Sequence, residues 1–252
     1  METLSENTLA VIEKYLHLPL GIGCQTPYFN NRRKRVRGGL RALVGKGTPE
    51  EISEEAEILS VKDRVSIKNM SEKTLKEFLV DENLGIDCSG FAYHILDAEA
   101  QARIGKKLRN IVKTYKGFER KIIHKFRPAE NTGVSTFSNE KNSIEIDIEN
   151  TRPADFISII GTGIDRKYNH MLIVENVEKT ATSIKIIYIH SYAWPEDGAY
   201  GHGVRRGEIN LKSGQNILDG IWTEKEKTGK NNFTFFSVQN AQSVSLRRLR
   251  AF

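Results

Sequence analysis

The sequence predicts an α+β fold with a mainly antiparallel sheet. Two observations carry this. Up to about residue 104, apolar residues recur three and four apart, the spacing of helices with one buried face. From Ser143 onward the segments shorten, alternate and fill with β-branched residues separated by turn residues. Helices first and strands second is the order of an α+β chain rather than of alternating βαβ units.

The elements follow in order. Leu9, Val11, Ile12 and Leu16 predict a helix from about Glu6 to Leu16, which "LPLGIGCQTPYFNN" ends with Pro and Gly. "GTPEEISEEAEIL" opens a second helix: Thr48 suits the N-cap, Pro49 the first helical position, and Glu51 completes a capping box. A third starts at Ser71. A fourth starts at Cys88, with Phe91, Ala92, Ile95 and Leu96 on one face. Residues 104–142 are basic and irregular and read as an insertion holding some helix and a surface loop. "SIEIDIE", "DFISII", "HMLIVENV", "SIKIIYIHSY", "GVRRGEINL", "NFTFFSV" and "SVSLRRLR" then read as strands, with "EKTAT" as a turn. The chain divides into residues 1–80, helical and looped with a basic segment, and residues 81–252, which carry the chemistry.

Composition narrows the function. Hydrophobic residues at 38% and charged residues at 28% are ordinary for a soluble globular protein. No run approaches the roughly 18 apolar residues of a membrane span. The N-terminus lacks a basic n-region and mixes Glu2, Glu6 and Glu13 with its apolar residues, so it makes a poor signal peptide and the chain reads as cytoplasmic, or as exported by a route without such a signal. Two cysteines, Cys24 and Cys88, are too few for a disulfide scaffold and read as thiols. The net charge of +6 favours an anionic partner, and Arg32, Arg33, Lys34, Arg35, Arg37 and Arg41 carry much of it. Aromatic residues do not interleave with them, as a single-strand nucleic-acid platform would want. A solvated or substrate-facing loop is the plainer role.

Cys88 is the candidate nucleophile. "DCSG" sets it at a helix start, where free N–H groups and the helix dipole favour a thiolate and offer an oxyanion site. A base must accompany it. His170 opens one predicted strand and His190 closes the next, and their midpoint is Thr180, in the predicted turn. A hairpin centred there puts the two imidazoles directly opposite, with Cβ atoms roughly 4.5–5.5 Å apart. His170 is then base and His190 its orienter, as in a triad. His94, on the helix of Cys88, points away from the thiol, and His202 is a weaker candidate. Two other classes stand beside this one. Cys88, His170 and His190, with or without Cys24, make a candidate zinc site, without the short-spaced ligand pairs common in structural zinc sites. The basic segment makes a candidate nucleic-acid or anion site with no enzymatic role.

"DCSGFAYHIL", "RPADFISI", "NHMLIVENV" and "IYIHSY", in that order, resemble the NlpC-type cysteine peptidases of the papain-like superfamily. The resemblance covers about residues 81–210. It implies N-terminal helices packed on a five- or six-stranded antiparallel sheet, with Cys88 as nucleophile, His170 as base and His190 as orienter. It implies amide-bond cleavage, typically in bacterial cell-wall peptides, without a cofactor. It also places Asp87 and Ser89 of the motif at the substrate, and Tyr28 where family members set a Tyr near the thiol. A packed aromatic is the plainer role for Tyr28.

Overall fold

The computed structural model describes residues 2–31, 40–114, 126–163 and 165–252. A nine-stranded antiparallel sheet organises them. Its strands are β1 (Glu2–Thr3), β2 (Ser143–Glu145), β3 (Phe156–Thr162), β4 (Tyr168–Lys179), β5 (Ser183–Tyr192), β6 (Gly203–Lys212), β7 (Ile221–Glu224), β8 (Lys227–Thr228) and β9 (Ser243–Leu249). They run in the order β2-β9-β3-β4-β5-β6-β7-β8, with β1 pairing β4. The sheet is thus larger than the five or six strands expected. The additions β1, β7 and β8 have two, four and two residues, too short for alternation to register in a sequence.

Helices α1 (Glu6–Leu16), α2 (Pro49–Asp63), α3 (Glu72–Asp81) and α4 (Cys88–Ile104) begin where their caps direct. Thr48 and Glu51 form the expected capping box, and Ser71 caps α3. Helix α5 (Val134–Phe137) lies in the insertion. "NFTFFSV", expected as a strand, is instead helix α6 (Phe233–Gln239). Asn232 Oδ1 accepts the Phe235 N–H at 3.0 Å, an N-cap that decides for helix over the β-propensity of the phenylalanines.

Alternation along β3–β5 divides the interior into two clusters. Phe156, Met171, Ile173 and Ile189 pack towards α1–α4, together with Ile12, Leu75 and Phe91. Ile157, Leu172, Val174, Ile186 and Tyr188 pack towards Trp222 and the α6 residues Phe235 and Val238. Leu20, Ile52 and Leu75, before residue 80, share the first cluster with Leu96 and Phe156, after it. The insertion joins the same cluster through Leu108, Val112, Ala129 and Phe137. Arg32 to Arg37 lie outside the described residues, and Arg41 pairs with Glu51. No described helix is long and apolar enough to cross a membrane.

Strands β4 and β5 set up the site. They pair from Lys179↔Ile184 to Ile173↔Ile189 and then part, although β4 starts at Tyr168 and β5 continues to Tyr192. Beyond Ile189, β5 stays paired to β6 as far as Tyr192↔Gly203. The two strands therefore fork, and the start of α4 enters the fork.

Candidate active site

The motif from Asp87 to Gly90 is built as a rigid helix start. Asp87 Oδ1 accepts the Gly90 N–H at 2.7 Å and caps α4. Lys46 Nζ binds the same oxygen at 2.8 Å and Ser89 Oγ at 2.6 Å. The backbone adds Asp87 N–H to Gly45 O at 3.0 Å. A Cβ on Gly90 would stand 2.7 Å from Gly45 O, so only glycine admits this approach. Asp87 and Ser89, expected at the substrate, thus have their side chains turned to Lys46.

Cys88 enters the fork. Ser191 Oγ of β5 donates to Ile86 O at 2.8 Å, tying the segment before α4 to one prong. On the other prong, Cys88 Sγ lies 3.9 Å from Asn169 O, and the Met171 N–H also faces the sulfur. The thiol therefore rests against both peptide groups that flank His170. It is 8% exposed. Burial pushes its pKa up to about 12, Asp87 adds to the rise, and Lys46 with the N–H groups of Met171 and Ser89 opposes it. The helix start does not by itself produce a thiolate here, because desolvation outweighs it. Cys24 is a second buried free thiol, pushed up to about 11 by burial.

The histidines meet in a register different from the one expected. The turn is centred between Ala181 and Thr182, with Thr180 N–H bonding Ser183 O, rather than on Thr180. Continuing Ile173↔Ile189 sets His170 opposite Tyr192, and those rings stack with centroids 4.0 Å apart. The offset between the histidines is two residues, so both stay on one face. They bond diagonally, His170 Nε2 to His190 Nδ1, at 2.7 Å.

A third group completes the chain. Glu224, at the end of β7, places Oε2 3.2 Å from His190 Nε2, an ion-pair distance rather than an aligned hydrogen bond. Tyr188 Oη donates to Oε2 at 2.8 Å and Thr234 Oγ1 at 2.9 Å. Arg205 Nε stands 3.8 Å from Oε1, and Arg205 Nη2 anchors to Asp197 Oδ2 at 2.5 Å. Burial raises the Glu224 pKa, but His190, Arg205 and Tyr188 outweigh it and hold the carboxyl below its usual value. A carboxylate facing His190 Nε2 keeps the proton on that nitrogen, so Nδ1 accepts. His170 must then donate from Nε2, which leaves Nδ1 with its lone pair. Burial first, then His190 and Arg205, depresses the His170 pKa well below its usual value, so this imidazole rests neutral. Glu224 had no signal in the sequence: "IWTE" is a four-residue strand and its carboxyl is one of 32.

His170 also lines a cleft of about 1270 Å³ with Tyr28, Tyr192, Trp194, Phe233 and Phe236. Tyr28 bridges in parallel to Ile86, donates its N–H to His202 Nδ1 at 3.1 Å, and sets its ring edge-on to Tyr192, centroids 6.4 Å apart. His202 lines the cleft as well. His94 Nε2 bonds Lys46 O at 2.9 Å on the side of α4 away from the fork. Among the described residues, no three of His, Cys, Asp and Glu are grouped to hold a metal ion. Comparison with protein-family models, with curated proteins and with solved structures returned no match.

Proposed function

We propose that the chain is a cysteine hydrolase, a divergent NlpC-type peptidase or amidase of papain-like architecture. The observation that carries this is the proton chain Glu224–His190–His170, which ends at the strand position whose flanking peptides hold the Cys88 thiol. His170 Nδ1 takes the thiol proton as sulfur attacks the acyl carbon. The N–H groups at the start of α4, other than that of Gly90, which Asp87 holds, receive the oxyanion. His170 then protonates the leaving amine, and a thioester remains on Cys88. Water, deprotonated by the same nitrogen, hydrolyses it and restores the thiol. Because the resting thiol is neutral, this is general-base attack rather than the work of a standing thiolate–imidazolium pair. His190 and Glu224 are positioning residues: they fix the tautomer of His170 and support its positive charge.

The test is acyl transfer from p-nitrophenyl acetate, read as nitrophenolate release and as acetyl mass on Cys88. Cys88→Ala and His170→Ala should each lose at least about 100-fold in rate with the fold intact, and His190→Ala should lose less. Full activity in Cys88→Ala would sink the proposal.

A further inference from the structure

The register of the β4–β5 hairpin gives His170 a partner that no sequence pattern indicates. Opposite it stands Tyr192, beyond the last ladder pair of the two strands, and the two rings stack at 25° with centroids 4.0 Å apart. The hydrogen bond from Nε2 to His190 Nδ1 holds one atom of the imidazole. It leaves the tilt of the ring open, because χ2 of a histidine has broad, roughly two-fold wells. A half-turn about χ2 would put a carbon where Nδ1 stands. The face of Tyr192 against the imidazole closes that freedom.

Tyr192 is itself held from several sides. Its carbonyl accepts from Arg205 Nη2 at 2.8 Å, and its hydroxyl shares a hydrogen bond with Ser237 Oγ of α6 at 2.9 Å. Phe233 of the same helix lies at 25° to it with centroids 6.0 Å apart, and Tyr28 stands edge-on. A ring tied to β6 and to α6 can fix what lies against it. Charge gives the same contact a second role. When Nδ1 takes the thiol proton, the imidazole becomes a cation under the face of a phenol, whose quadrupole attracts it. The neutral resting imidazole feels no such pull, so the attraction favours the transition state over the ground state.

We infer that Tyr192 is a positioning residue for the acyl-transfer step: its ring, stacked on His170, fixes the plane of the imidazole and supports the charge gained as the proton passes from Cys88 Sγ to Nδ1. The inference deepens the hydrolase reading and rests on it.

The experiment is acyl transfer from p-nitrophenyl acetate to the full chain over a range of ester concentration, in wild type, Tyr192→Leu and Tyr192→Phe, with circular dichroism to check folding. Tyr192→Leu should lower kcat by about 10- to 100-fold and leave KM within about threefold. Tyr192→Phe restores the ring without the hydroxyl and should recover most of that loss. Proton NMR of His170 reads the stack without catalysis: its ring protons should move downfield in Tyr192→Leu, where the ring current is lost, and stay upfield in Tyr192→Phe. Should Tyr192→Leu not fold, Tyr192→Met carries the same expectations. With Cys88 acetylated in wild type, an unchanged kcat in Tyr192→Leu, a loss confined to KM, or a loss as large in Tyr192→Phe would each overturn the inference and leave the hydrolase standing. No acetyl on Cys88 in wild type would remove the hydrolase and the inference together.

Discussion

At the scale of single residues, Glu224 gives the sharpest test of the proton chain. Glu224→Gln keeps the shape and an oxygen for Tyr188 and Thr234, but removes the charge that faces His190. An amide can also present N–H to His190 Nε2, which would reverse the chain and put the proton on the wrong nitrogen of His170. We expect kcat to fall on the order of 10²–10³-fold with KM little changed, and the acid limb of the pH profile to move down. An unchanged kcat in a folded variant would remove Glu224 from the chain. The sequence makes Cys88, His170 and His190 legible, because a helix-start cysteine and two strand-end histidines carry local signals. It hides Glu224, whose partner His190 is 34 positions away with no pattern linking them. It also hides the 104–142 contacts behind α4, where burial of Leu108 and Phe137 depends on tertiary packing alone.

At the scale of elements, the β5–β6 pair holds that chain in place. Tyr188 stands directly opposite Gly207, and a Cβ on Gly207 would come within 2.3 Å of the Tyr188 ring and hydroxyl. The aromatic ring therefore lies over a strand glycine, and that placement directs Oη to Glu224. Gly207→Ala should force the ring away, costing about 1–3 kcal/mol by overpacking and lowering Tm by several degrees. It should also lower kcat, since Glu224 loses a donor. A variant with unchanged Tm and kcat would show that Gly207 does not hold Tyr188. Element boundaries were readable where caps are local, as at Thr48, Ser71 and Asp87. They mislead where propensity and capping conflict, as at Asn232. The hairpin register differs by two from a turn centred on Thr180, because the turn spans 180–182 and a bulge falls between Val174 and Asn176. An even error leaves every side chain on its face, which is why the pairing of the two histidines survived it.

At the scale of the whole molecule, buried titratable groups limit stability from both sides of neutrality. His94, His170 and His202 are all depressed, with burial the largest cause in each. In the unfolded chain they bind protons near their ordinary value of about 6.5. As pH falls through that value the unfolded state takes up protons that the folded state refuses, so stability present above about 6.5 is lost below it. Carboxylates held low in the fold, Glu99 and Glu224 among them, extend the loss below about pH 4.5. On the alkaline side, Cys24 and Cys88 are raised to about 11 and about 12, so the unfolded chain deprotonates first and stability falls as pH rises above about 9. Calorimetry across pH 4–10 should therefore give a maximum Tm between roughly 7 and 8.5 and a drop of several degrees by pH 5. His170→Asn should shrink the step between about pH 6.5 and 5, because one refused proton is gone, and leave the alkaline flank in place. A Tm that stays flat from pH 7.5 to 5 would mean that these imidazoles are not buried as neutral groups. His170 would then reach solvent and titrate near its ordinary value, and the general base assigned to Cys88 would be half protonated at pH 6.5 instead of poised to accept.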